Sequence, residues 1–116
     1  MFYGVSSMSV GFTSKTHKNY QIITLDGDLD IYSAPSLKKD IHKLIDDGTL
    51  YLGIDMIHIK LLDSSGIALL ANVQKRLRSE GGDLILLNVQ PDVLVIFKLS
   101  SLDKFFKIIS NEKDLP

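Results

Sequence analysis

The alternation and clustering of apolar and polar positions along the chain predict eight elements. Met8, Val10 and Phe12 share one face of a short first strand over Met8 to Thr13, and Ser14 to Asn19 reads as a polar turn. Tyr20 to Leu29 reads as a clearer strand, strongest over Tyr20-Gln21-Ile22-Ile23-Thr24-Leu25, so the two form an antiparallel hairpin. Asp26-Gly27-Asp28-Leu29-Asp30 then breaks the pattern. Ser33-Ala34-Pro35 opens a helix, with proline tolerated in the first turn, where its missing N–H is an orphan anyway. Its apolar stripe is Leu37, Ile41, Leu44 and Ile45, its solvated face carries Lys38, His42 and Asp46, and Gly48 ends it.

Leu50 to Asp55 is apolar on both faces except at its end, as expected of a central parallel strand. Met56 to Leu62 continues as irregular, partly extended chain. A second helix carries Leu70, Val73 and Leu77 inward, has Lys75, Arg76 and Arg78 near its C-terminal end, and stops at Gly81-Gly82. Asp83 to Leu87 is another buried strand. Pro91 starts a short helix with Val93, Ile96 and Phe97 inward, and Leu102 with Phe105 to Ile109 gives a last strand. Asn111 to Pro116 is too short and polar to add much. The order β-β-α-β-α-β-α-β implies an α/β fold, a mixed, mostly parallel sheet covered by helices.

Composition narrows the function classes. The chain has 116 residues, enough for one core, and its net charge of -1 offers no basic surplus for nucleic acid or an anionic membrane. It contains no cysteine, which excludes disulfides, thiol catalysis and Cys-ligated zinc and suits the cytoplasm. No apolar run approaches the ~20 residues that span a bilayer. The first residues do not form a signal peptide, and Met8 offers an alternative start. Residues 1–7 are then a flexible leader to a domain over 8–112.

Functional groups in such sheets gather beyond the carboxyl ends of the strands. Two loops stand there, Asp26 to Ser33 and Asp63 to Gly66, and they are candidates to be neighbours. At the junction Leu62-Asp63-Ser64-Ser65-Gly66-Ile67 a strand pattern gives way to a helical one. The first N–H groups of a helix lack intrahelical partners and favour negative charge, so Asp63 and Ser64 read either as an ordinary N-cap or as an exposed hydroxyl beside a phosphate site. Gly66 costs ~1 kcal/mol relative to alanine in a first turn, which capping alone does not require; close approach of another molecule's backbone would. Asp26, Asp28 and Asp30 read as a solvated strand end or as an acidic contact surface for a basic partner. A calcium loop fails on Ile31 and Leu37, where it needs Gly and Glu. There is no phosphate-binding P-loop, only half of a nucleophile elbow around Ser64, and no metal spacing among His17, His42 and His58. His58 is the one candidate base near Ser64 in sequence.

Taken together, these segments resemble an anti-sigma factor antagonist, the single STAS domain of bacterial partner-switching systems, over about Val10 to Ile109. The similarity lies in Leu25-Asp26-Gly27-Asp28-Leu29-Asp30 with Ser33-Ala34-Pro35-x-Leu37, in Ile54-Asp55-Met56, in Asp63-Ser64-Ser65-Gly66-Ile67, and in the closing Phe97 to Phe106. Lys60, Leu61 and Ser101 depart from the family pattern. The resemblance implies a binding protein and not an enzyme, with no cofactor and no metal of its own. It implies Ser64 as phosphoacceptor, with Asp63, Ser65 and Gly66 around it. Asp28, Asp30, Ile31, Tyr32 and Ser33, with Asp63 to Ile67, would bind the partner. That partner would be an anti-sigma factor that is also an ATP-dependent serine kinase of histidine-kinase-like fold, and a phosphoserine phosphatase would reset the cycle. The alternative is a STAS adaptor of a transporter or stressosome-like complex, in which Ser64 only caps the helix.

Overall fold

Each of the five strands enters the sheet beside the one before it in the chain. The computed structural model describes residues 12–116. Its elements are β1 (Phe12–His17), β2 (Tyr20–Leu25), α1 (Ala34–Asp46), β3 (Tyr51–Asp55), α2 (Ser64–Ser79), β4 (Asp83–Leu87), α3 (Pro91–Leu99) and β5 (Lys107–Ile109), with 3₁₀ turns at Leu102–Lys104 and Glu112–Asp114. β1 and β2 are antiparallel and every later pair is parallel, which makes the sheet mixed and mostly parallel. Parallel neighbours require right-handed crossovers, and stepping always in one direction carries all three helices across the same face. Among the described strands no reversal of order occurs, and so none of the crevice in which doubly wound folds seat nucleotides.

The main core lies between that face and the helices. Ile23, Leu25, Leu52, Ile54, Leu84 and Leu86 meet Leu37, Ile41, Leu44 and Ile45 of α1, Leu70, Val73 and Leu77 of α2, and Val93 and Phe97 of α3. The α1 stripe and the α2 stripe read from periodicity are all buried. Gly48 adopts φ +113° directly after α1, a conformation that β-carbons disfavour. Gly82 is needed for a different reason, since a Cβ there would lie 1.8 Å from the Leu50 carbonyl oxygen.

Several expectations are corrected. β1 runs on to His17, and the turn shrinks to Lys18-Asn19, with Lys18 at φ +55°. The polar run from Thr13 to Thr16 is an exposed edge strand, so its sequence carries no apolar alternation. Met8 to Gly11 and the leader at 1–7 lie outside the described residues. β5 holds only three residues, because Ser101 at φ +61° and the 3₁₀ turn redirect the chain. Phe106 is buried edge-on to Phe97 at 5.6 Å, whereas Phe105 is exposed. Ile96 is half-buried, not inward. The tail contributes more than its polarity suggests: Leu115 is buried with Tyr20, Ile22, Ile85 and Leu87 on the helix-free face, and its carbonyl accepts from Lys18 Nζ at 2.8 Å.

His42, expected on a solvated face, is half-buried and hydrogen-bonded. Its Nδ1 faces Arg76 Nη1 at 2.9 Å and its Nε2 faces Asn72 Oδ1 at 2.9 Å, while Arg76 also pairs with Asp46 and Glu80. A guanidinium only donates, so Nδ1 is the acceptor and the ring proton sits on Nε2. This cluster fastens α1 to α2 on their outer side.

Candidate functional site

The two loops beyond the carboxyl ends of β2 and β3 are in direct contact. Leu29 and Leu62 form an isolated parallel bridge, with Leu29 N–H donating to the Leu61 carbonyl (3.1 Å) and Asp63 N–H to the Leu29 carbonyl (3.3 Å). Parallel pairing between the segments that leave β2 and β3 thus resumes for one residue past the strand ends, shifted by two residues from the strand register. It brings Asp28 to Ser33 alongside the start of α2.

The acids of these loops are engaged by backbone amides. Asp28 Oδ1 accepts from Lys60 and Leu61 N–H, both at 3.0 Å. Asp30 Oδ1 accepts from Tyr32 N–H (2.9 Å) and Ser33 N–H (3.0 Å), an Asx-type turn. Ser33 is buried, accepts from Asp30 N–H and donates its hydroxyl to the Asp28 carbonyl at 2.9 Å. Asp28 and Asp30 brace the loop, and Asp26 alone stands exposed.

Asp63 is the N-cap of α2 in extended conformation. Its Oδ1 accepts from Ser65 N–H (2.9 Å) and Gly66 N–H (3.1 Å), while its Oδ2 accepts from Ile31 N–H (3.0 Å) across the gap. Ile67 N–H goes to the Asp63 carbonyl. Of the four first-turn amides, only that of Ser64 has no protein acceptor among the described residues. The open cradle of free N–H groups expected for a phosphate is thus largely filled by Asp63.

Gly66 is explained from within the chain. It is buried, and a Cβ there would lie 2.6 Å from Leu62 Cδ1, 2.7 Å from the Leu29 carbonyl oxygen and 2.8 Å from Leu29 Cγ. The close approach its identity demands is made by the Leu29 loop, not by a second molecule. Ile67 is half-buried and packs against the core.

Ser64 is exposed and Ser65 half-buried. Among the described residues no group hydrogen-bonds the Ser64 hydroxyl, and exposed His58 makes no contact of that kind with it. Among the described residues no base hydrogen-bonds Ser64 to activate it as a nucleophile. The braced loops that meet at Asp63 carry exposed side chains: Ile31 is 61% exposed, Tyr32 85% and Leu61 54%, and Ile57 is exposed in the segment leading to Leu61. Leu61 and Ile57 were missed as surface residues by sequence reasoning. The available signal was their apolar character inside an irregular, polar segment.

Asp55, buried at the carboxyl end of β3, accepts from Ile57 N–H, Asn88 Nδ2 and Thr24 Oγ1, and so ties three neighbouring segments beneath this surface. Among the described residues no three His, Asp or Glu side chains are placed to hold a metal ion, and no helix is long and apolar enough to cross a membrane.

Comparison with known proteins places these features in a family context. The family model of the STAS domain matches residues 12–115. The anti-sigma-B factor antagonist of Staphylococcus epidermidis is 23% identical over 95 residues, covering 82% of this chain and 88% of the relative. A crystal structure of an anti-sigma factor antagonist from Mycobacterium paratuberculosis superposes with a TM-score of 0.79 at 25% identity, covering 94% of this chain and 92% of that one. The phosphorylated form of the Bacillus cell fate determinant SpoIIAA superposes with a TM-score of 0.67 at 24% identity, covering 89% and 95%.

Proposed function

The chain belongs to the STAS domain family, and from that premise we propose that it is an anti-sigma factor antagonist switched by phosphorylation of Ser64. The observation that carries this reading is the Ser64 hydroxyl itself, exposed on the first turn of α2 and without a hydrogen-bond partner among the described residues, next to Asp63, which ties in the loop that carries exposed Ile31 and Tyr32. In its unphosphorylated form the protein binds an anti-sigma factor that is also its serine kinase, and the sigma factor is released. The kinase supplies ATP, magnesium and the base; this chain supplies only the acceptor hydroxyl. It is a substrate and a regulator in the cytoplasm, not an enzyme, and a phosphoserine phosphatase restores it. Two relatives named as antagonists and a fold shared with a phosphorylated Bacillus protein support the assignment.

The switch is electrostatic. Phosphorylation adds about -1.5 to -2 charge to a hydroxyl that adjoins the Asp63 carboxylate. The positive end of α2 is already answered by Asp63, so the added charge is poorly compensated within the domain. A partner that closes over Ile31, Tyr32 and Ser64 would have to desolvate that charge. A penalty of ~3 kcal/mol would weaken binding more than a hundredfold.

The test is phosphotransfer from ATP by the histidine-kinase-like partner, followed by peptide mass spectrometry and calorimetric binding. Phosphate is expected on Ser64, Ser64→Ala should accept none while still binding, and Ser64→Glu should bind at least tenfold more weakly. Phosphate on Ser65 alone would overturn the site. No phosphotransfer at all, with binding insensitive to Ser64→Glu, would favour a STAS adaptor in which Ser64 is only part of the helix start.

A further inference from the structure

Between β3 and α2 the chain turns sharply over residues 56–59. Ile59 N–H donates to the Met56 carbonyl at 3.0 Å, and Met56 and Ile59 are both buried, which leaves Ile57 and His58 exposed at the centre of the turn. Gly, Pro, Asn, Asp and Ser dominate turns because they supply a preset φ, a positive φ or a local hydrogen bond. Isoleucine supplies none of these, and here its side chain is 43% exposed. A single exposed isoleucine needs no explanation by itself. The scaffold beneath this one does.

Both backbone groups of Ile57 are held by side chains. Its N–H donates to Asp55 Oδ1 at 3.1 Å, and its carbonyl accepts from Gln90 Nε2. Gln90 is the N-cap of α3, yet its side chain makes no cap and reaches Ile57 instead. Met56 N–H donates to the Leu87 carbonyl at 2.9 Å, and Asn88, at φ +53°, donates its side-chain amide to the same Asp55 oxygen at 3.1 Å. Asp55 is itself buried, a carboxyl group that is costly to bury unless it is hydrogen-bonded. Reversing the chain requires none of this, because the turn closes on its own bond. What the bracing adds is a fixed place for Ile57 at the surface.

We propose that Ile57 is a docking contact for the anti-sigma factor, entering an apolar pocket of that partner when it closes over Ser64, and that Gln90 is the residue that positions it. This inference rests on the Ser64 reading and extends the contact to the segment before it. Seven positions separate Ile57 from Ser64, so at ~3.6 Å per residue their Cα atoms lie within about 25 Å, and closer because the chain turns at once. A partner that buries the usual ~800 Å² covers a patch roughly 30 Å across, wide enough to include both. The two residues then divide the work: the Ser64 hydroxyl receives the phosphate, and Ile57 supplies binding alone. Ile57 falls between the segments that carry the family resemblance, in the same stretch as Lys60 and Leu61, which depart from it. The contact therefore belongs to this chain and its own partner.

Titration calorimetry against the anti-sigma factor, with steady-state phosphorylation of Ser64 at saturating ATP, tests the proposal. Ile57→Ser exchanges an exposed isoleucine for a residue that favours turns, so the circular dichroism spectrum and cooperative urea unfolding should be retained. Affinity should fall at least ~10-fold and KM for this chain should rise in step, with kcat within about twofold, since the acceptor hydroxyl is untouched. Ile57→Leu should stay within about threefold of wild type in both measurements. Gln90→Ala, which leaves Ile57 and Ser64 in place, should raise KM about 3- to 10-fold with kcat again kept. If Ile57→Ser binds like wild type while Ser64 still accepts phosphate, this inference is overturned and the Ser64 reading stands. A fall in kcat at unchanged KM would also overturn it, because the effect would then lie at the acceptor. An unchanged KM for Gln90→Ala would overturn the positioning role. Wild-type protein that neither binds nor accepts phosphate would overturn both readings together.

Discussion

Asp63 holds Ile31, which lies 32 positions away in the sequence, by a 3.0 Å hydrogen bond from the Ile31 amide to Oδ2, and at the same time caps α2 through Oδ1. One carboxylate therefore fixes the spacing between Ser64 and the apolar tip of the neighbouring loop. The two tasks fall on different oxygens. Asparagine has one carbonyl oxygen and can perform only one of them. Asp63→Asn should keep the cap, which makes two bonds, and release Ile31. Hydrogen exchange should speed up at the Ile31 amide while the Ser65 and Gly66 amides stay protected. Equal protection at Ile31 in both proteins would show that the loop is held by its other contacts. Asp63→Ala loses both attachments and should cost about 1–3 kcal/mol in urea unfolding.

Gly66→Ala sets helix propensity against sterics. Alanine gains ~1 kcal/mol of propensity over glycine in a helix. Against that, the new methyl would overlap the Leu29 carbonyl, which is backbone and cannot swing aside, as well as Leu62. Overpacking of this kind costs typically 1–3 kcal/mol and here displaces the Leu29–Leu62 bridge as well. Net destabilisation of about 1–2 kcal/mol is expected, read by thermal or urea unfolding. A stabilised variant would mean the two loops separate more easily than their contacts indicate.

Tyr32→Ala separates binding from folding. The side chain is 85% exposed, so stability should change by less than ~0.5 kcal/mol. As an aromatic presented on a turn braced by Asp30, it is suited to anchor a partner, and its loss should weaken that binding by about 2 kcal/mol, or roughly thirtyfold. Titration calorimetry against the anti-sigma factor reads this directly, and unchanged affinity would remove Tyr32 from the contact.

Asp83 predicts part of the acid sensitivity. Burial by itself would raise its pKa, but hydrogen bonds from Lys107, from the Leu84 amide and from Arg78 outweigh that and hold the carboxyl below its usual range. A folded-state pKa below the unfolded one stabilises the fold above about pH 4 and ceases to as pH falls through the folded value. Asp83→Asn should cost about 1 kcal/mol near pH 7, a modest figure because Lys107 is half-exposed. The gap between variant and wild type should close below about pH 4 in urea titrations run across that range. A gap that persists at pH 2.5 would locate the effect in packing.

Leu115→Ala tests the tail. The side chain is buried against Tyr20, Ile22, Ile85 and Leu87 on the face opposite the three α-helices. Truncation there should cost about 2–3 kcal/mol, measured by chemical denaturation. A neutral result would mean that this face of the sheet does not need the Leu115 side chain.

Local pattern determined much of this protein. The spacing of Leu37, Ile41, Leu44 and Ile45, the proline at the start of α1, Gly48 after its end and the Asp63 cap of α2 are each legible within a few residues, because helix periodicity and capping are local properties. The family resemblance, carried by short segments in order, also needed no structure. What the tertiary structure decided is non-local. Nothing near Gly66 in the sequence says that its neighbour is the Leu29 carbonyl, and nothing near Asp28 says that its carboxylate accepts from Lys60 and Leu61. Those partners follow from a parallel register that brings segments more than thirty residues apart to the same edge of the sheet, where every buried or bridging amide must find an acceptor.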